Sequence, residues 1–199
     1  MLGLRHATDK AWAVRAADQL DEVLVDHAHC ELKAASNALG LAARSPDFPE
    51  VARALVDLAE EEIRHYRQVV DELDRRGTAL GKPPVDAYAA ELLKRVLAST
   101  RDRSAAASLA DRLLVGALIE ARSCERFRLL ADELAARDLP ELAAFYEELF
   151  VAEARHHRTF VDLAAQVRGE ESARSRLAVL AAIEADVARA TGDGASIHG

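Results

Sequence analysis

Apolar side chains recur along this chain in steps of three and four, the spacing of a single helix face. Leu142, Tyr146, Leu149, Phe160 and Leu163 mark one stripe, and Leu20, Leu24, Ala34, Ala38 and Leu41 mark another. Leu109, Leu113, Gly116, Phe127, Leu130 and Leu134 form a third, and Val51, Leu55, Leu58 and Val69 a fourth. The pattern predicts long helices over 9–44, 50–76, 104–136, 140–168 and 172–190, with a shorter one over 86–99. Breaks rich in proline, glycine or polar residues separate them: "RSPDFPE" at 44–50, "RRGTALGKPPVD" at 75–86, "ARDLPE" at 136–141 and "RGEESA" at 168–173.

The order is two long helices, a crossover holding the short helix, two more long helices and an extra one. Short turns within each pair imply antiparallel hairpins, and the long middle connection is the crossover of a four-helix bundle. An internal repeat supports this topology. "PEVARALVDLAEEEIRHYRQVVDEL" begins at Pro49 and "PELAAFYEELFVAEARHHRTFVDLA" at Pro140; in both, a Glu follows the first Glu by 12 residues and a His comes three later. The expected organisation is one all-α domain over 1–190, with hairpins at about 9–76 and 104–168, a C-terminal helix over 172–190, and a flexible tail over 191–199.

Composition agrees. The 199 residues are 50% hydrophobic and 30% charged, with few glycines and prolines, as befits a soluble helical domain. No apolar run nears the roughly 20 residues needed to span a bilayer, no signal-peptide layout opens the chain, and two cysteines make no disulfide framework. These features predict a cytoplasmic protein with no membrane partner. A net charge of −8 argues against indiscriminate nucleic-acid binding and against DNA as a partner, while leaving room for a local basic patch.

The chemistry lies where the stripes are interrupted. Glu31 breaks the stripe over 20–41, Glu62 and His65 that over 51–69, Glu120 that over 109–134, and Glu153 and His156 that over 142–163. Residues three apart share a helix face, so each Glu-x-x-His offers two ligands from one turn. Glu31 and Glu62 are 31 residues apart, and Glu120 and Glu153 33 apart, so a turn midway brings each pair level. Buried and unpaired, such carboxylates would each cost several kcal/mol. Two divalent cations would balance four glutamates, with the imidazoles as nitrogen ligands; this set suits iron or manganese better than a thiolate-rich zinc site.

Glu125 competes with Glu120, because "CE" occurs at both 30–31 and 124–125. It lies about 140° around the helix at 3.6 residues per turn, on a polar stripe, and an ion pair with a nearby Arg is the better expectation for it. His27 shares the face of Glu31 and is either a second layer behind the metals or a satisfied core histidine. Glu60, Glu61, Glu147 and Glu148 fall off the seam and are expected to be solvated. Cys124 reads as a small buried residue, and His29 and His157 as outward-facing or interhelical. Lys33, Arg64, Arg67, Arg122, Arg126, Arg128, Arg155 and Arg158 flank the ligand helices and either guide a polyanion or neutralise neighbouring acids.

"DHAHCELKAAS" (26–36), "LAEEEIRHYRQV" (58–69), "LLVGALIEARSCERF" (113–127) and "EARHHRTF" (153–160) resemble the MiaE family of tRNA hydroxylases, within the ferritin-like di-iron superfamily. The resemblance spans roughly residues 10 to 165. It implies a ferritin-like four-helix bundle with flanking helices, and the ligands Glu31, Glu62, His65, Glu120, Glu153 and His156. It further implies two iron ions, O2 as co-substrate and an external electron donor, since no GxGxxG fingerprint is present. The implied substrate is the isopentenyl group of 2-methylthio-N6-isopentenyladenosine in a tRNA anticodon loop. The alternatives are a ferritin-like iron-oxidising or iron-handling protein, and a di-iron oxidase of another substrate.

Overall fold

A computed structural model describes residues 2–83, 87–191, 194, 196 and 197, and among these no strand occurs. The helices are α1 (Lys10–Asp18), α2 (Leu20–Ala42), α3 (Pro49–Arg76), α4 (Ala87–Ser99), α5 (Ala105–Ala136), α6 (Pro140–Arg168) and α7 (Glu170–Thr191). Asp86, at the expected start of the short helix, lies outside the described residues. Pro49 and Pro140 open α3 and α6, where a missing N–H costs nothing. Ser104 caps α5 by accepting from the Ala107 N–H at 3.1 Å. Gly77, at φ 70°, closes α3 in the left-handed region, and the Thr78 N–H reaches back to the Leu73 carbonyl at 2.9 Å.

One boundary departs from the pattern. The helix expected over 9–44 breaks at Gln19 (φ −116°, ψ 39°), which separates α1 from α2. The break lets α1 turn across the end of the bundle and bury Trp12 completely.

α2 packs chiefly on α3, and α5 on α6, giving the two hairpins of the expected ferritin-like bundle. α4 and α7 lie together against α5, and α7 also packs on α6. The apolar interior divides in two. One cluster holds Ala38, Leu55, Leu113, Phe160 and Leu163; the other holds Leu24, Val69, Phe127, Leu130 and Leu149. Each bundle helix contributes to both, and the interrupting glutamates fall between them on every one. The polar layer is thus sealed above and below by side chains worth about 1.5–3 kcal/mol each on burial.

The segment after α7 was expected to fray. Its described residues are held instead: Ile197 is buried, its N–H donates to Asp26 at 2.6 Å, and the Gly194 and Ser196 carbonyls accept from Trp12 and Arg126. Among the described residues, no helix is long and apolar enough to cross a membrane.

Candidate metal centre

The four bundle helices bring all six expected ligands to mid-height, each less than a tenth exposed: Glu31 on α2, Glu62 and His65 on α3, Glu120 on α5, and Glu153 and His156 on α6. Ligand atoms of Glu62, His65, Glu153 and His156 lie within 4.8 Å of one another. His65 Nδ1 lies 3.3 Å from Glu62, 3.4 Å from Glu153 and 3.7 Å from Glu31. His156 Nδ1 lies 3.0 Å from Glu62 and 3.1 Å from Glu153. Glu120 completes the group through its contact with Glu153. The two imidazoles face each other with ring centroids 5.5 Å apart. Both present the same nitrogen, Nδ1, to the carboxylates, as the repeat requires.

The donor atoms fit cations better than they fit each other. Both oxygens of Glu62, Glu153 Oε1 and His65 Nδ1 are buried and make no hydrogen bond of acceptable geometry, despite neighbours near 3 Å. Buried polar atoms are ordinarily satisfied, and oxygens converging with imidazole nitrogens are what a hard or borderline divalent ion requires.

Electrostatics tell the same story. Burial alone would discourage charge on both imidazoles, but Glu153, Glu31 and Glu62 outweigh it and push His65 up to about 11; Glu153 and Glu62 push His156 up to about 12. Burial, then the charge of Glu153, pushes Glu62 and Glu120 well above the usual carboxylate range. Glu153 goes the other way, because His156 and His65 outweigh its own burial. Without cations, the centre therefore holds protons where cations would neutralise it.

The family model described as tRNA-(MS[2]IO[6]A)-hydroxylase (MiaE) matches residues 2–199. The chain belongs to the MiaE family. A Pseudomonas putida protein named tRNA 2-(methylsulfanyl)-N(6)-isopentenyladenosine(37) hydroxylase is 39% identical over 157 residues, 79% of this chain and 72% of that one. A Salmonella typhimurium protein of the same name is 32% identical, over 92% of this chain and 83% of that one. Among solved structures, "Protein 43 with aldehyde deformylating oxygenase activity from Synechococcus" matches with a TM-score of 0.87 and 34% identity, over 98% of this chain and 95% of that one.

Around the cluster, two residues back the candidate ligands. His27, fully buried, places Nε2 2.7 Å from Glu31 Oε1 and packs its ring on Phe127 and Tyr146. Both readings open for it are compatible with this placement: it is a satisfied core histidine that also lies directly behind Glu31. Glu61, expected to be solvated, is half-buried instead, with Oε2 3.1 Å from His156 Nε2 and Arg155 and Arg64 alongside at 3.5 and 3.8 Å. A carboxylate on the far nitrogen of a ligand imidazole fixes its tautomer and orientation. The stripe pattern could not flag Glu61, because it sits one residue, about 100°, off the seam.

Glu125 lies away from the cluster. It pairs with Arg122 and accepts from the Thr8 hydroxyl at 2.6 Å and the Thr8 N–H at 3.1 Å. Arg122 also donates to Glu184 at 2.6 Å and to the His6 carbonyl, and Tyr88 donates to the same Glu184 oxygen. Arg122 and Arg126 are buried, so neither is available to guide a polyanion. Cys124 is fully buried and His157 bonds the Ala117 carbonyl across α5 and α6.

A cavity of about 250 Å³ opens between α2, α4 and α5 and ends on Glu120. Ala34, Ala90, Leu93, Val115, Ile119 and Phe160 give it an apolar wall, while Lys33, Asn37 and Arg112 supply its polar groups.

Proposed function

We propose that the chain is a non-haem di-iron, O2-dependent monooxygenase that hydroxylates the isopentenyl group of 2-methylthio-N6-isopentenyladenosine in tRNA. The observation that carries this reading is the apolar cavity ending on Glu120, beside the carboxylate–imidazole cluster of a MiaE-family chain. Glu31, Glu62, His65, Glu120, Glu153 and His156 would hold two iron ions, or manganese in their place. Such a pair supplies O2 activation and the oxidation of a C–H bond, with electrons from an external donor.

The chain's own residues do the rest. His27 and Glu61 orient Glu31 and His156, so the ligand geometry is fixed before substrate arrives. The aliphatic wall of the cavity takes the prenyl group out of water and holds it against Glu120, and the apolar clusters on either side keep solvent from the centre. Residues 1–190 would act as one ferritin-like domain in the cytoplasm, where tRNA is modified. The test is a single turnover with iron-loaded, reduced protein, O2 and a prenylated anticodon stem-loop, read by nucleoside mass spectrometry as one added oxygen atom.

The likeness to a structure with aldehyde deformylating oxygenase activity favours a second reading, an oxygenase of an aliphatic aldehyde. Formate released from an aliphatic aldehyde, with no oxygen added to the stem-loop, would select it.

A further inference from the structure

We propose that the outer face of α2, around His29, Lys33, Gly40 and Arg44, seats the single-stranded RNA flanking the modified adenosine and feeds that base into the cavity at Glu120. This rests on the reading of the protein as a tRNA hydroxylase.

An open groove of about 650 Å³ runs along this face. It shares Lys33 and Asn37 with the cavity that ends on Glu120, so a base in the cavity leaves its neighbouring nucleotides on the groove. The chain carries a net charge of −8, yet no carboxylate lines the groove, and Lys33, Arg44 and His29 do. A positive strip on an acidic protein attracts polyphosphate selectively to that strip.

Three details point to an occupant from outside the chain. His29 is more than nine-tenths buried, lines the groove, and has an Nε2 with no hydrogen-bond partner among the described residues. That nitrogen is enclosed by the protein, and a rotation of the ring toward the groove would bring it to a base edge or a ribose hydroxyl. Gly40 sits inside α2, where glycine costs about 1 kcal/mol relative to alanine, and a Cβ built there meets nothing within 4 Å. No neighbour in the chain uses the missing side chain, and the bare backbone leaves room for close approach. Leu32 lies half exposed on the same groove, an apolar surface on which a base can rest.

The competing face is the α3–α6 surface, where three of the flanking arginines are engaged by acids and Arg67 is exposed. Arg64 and Arg155 meet Glu61, and Arg158 meets Asp162. Arg44, by contrast, is exposed and has no ion pair among the described residues.

The test uses full-length, Mn(II)-loaded protein and a fluorescein-labelled anticodon stem-loop carrying the prenylated adenosine, with anisotropy recorded over a range of salt. Arg44→Glu is expected to weaken binding at least tenfold and to flatten the salt dependence by about one phosphate contact, near 0.7 in the log–log slope for single strands. Gly40→Gln, compatible with the helix, is expected to weaken binding several-fold without changing the slope. Two metals bound and an unchanged melting temperature establish that each variant is folded. Wild-type binding by both variants, with loss on Arg64→Glu or Arg155→Glu, overturns the α2 seat and leaves the tRNA reading standing. No binding of the stem-loop by the wild-type protein overturns both.

Discussion

Replacing Glu61 by alanine removes the carboxylate that meets the far nitrogen of His156, and the internal repeat makes this an asymmetric perturbation. Glu62 and His65 correspond to Glu153 and His156 at an offset of 91, so the counterpart of Glu61 is Ala152. One imidazole is therefore backed by a carboxylate from the opposite hairpin, and the residue placed to back the other has no polar group. Loss of such an outer partner typically costs 10–100-fold in metal affinity. The Glu61 side chain is 28% exposed and shares its charge with Arg155 and Arg64, which places the effect at the low end, about tenfold or about 1.4 kcal/mol. Competitive titration of Co(II) against a chromophoric chelator resolves two binding steps. Glu61→Ala is expected to weaken one step by about tenfold and leave the other unchanged, with partial recovery in Glu61→Gln, which keeps an acceptor. Equal weakening of both steps, or of neither, would refute the asymmetry.

Glu120→Ala is expected to abolish two-metal binding, whereas Glu125→Ala keeps both metals and instead lowers stability by about 1–3 kcal/mol, because buried Arg122 loses a partner; metal content and denaturant titration separate the two, and reversed effects would mean Glu125 is the ligand. Below the ordinary imidazole value of 6.5, His65 and His156 stabilise the metal-free fold fully, and that contribution is lost as pH rises through about 11 and 12. Glu62 and Glu120, raised by burial, hold protons in the metal-free fold and destabilise it as they ionise. Both trends weaken the metal-free fold at higher pH while easing displacement of protons by metal, so the Mn(II)-induced rise in melting temperature should grow between pH 6 and 8.5; a constant rise would contradict this. A Cβ at position 116 would meet the tip of the Phe160 ring at 3.0 Å, so Gly116→Ala should push that ring toward the cavity both residues line. The helix gain of about 1 kcal/mol offsets part of an overpacking cost of about 1–3 kcal/mol, and slower turnover of a prenylated stem-loop with little change in melting temperature is the expected result.

The positions of the six candidate ligands were legible because a polar residue inside a three–four stripe must either be buried or break the helix, and here the stripe continues on both sides. The repeat made the second Glu-x-x-His as visible as the first. Gln19 was not legible as a helix break, since it is neither glycine nor proline and the break follows from α1 turning to bury Trp12. The burial of Arg122 was hidden for a different reason. Its partners His6, Thr8 and Glu184 lie more than 60 residues away, at opposite ends of the chain, and no local pattern links them. The docking of Ile197 and Ser196 escaped in the same way, because a short polar tail gives no periodic signal and its contacts are with Asp26 on α2 and Arg126 on α5.

Loaded with iron, the carboxylate–imidazole cluster is expected to oxidise a prenylated adenosine in tRNA. The most direct test is a single turnover with ¹⁸O2, iron-loaded and reduced protein, and an anticodon stem-loop bearing that base, beside a Glu120→Ala control. One ¹⁸O atom incorporated into the isopentenyl group by the wild-type protein and none by the control is the expected result. Oxygen consumed by a two-iron protein with the base unchanged would contradict it.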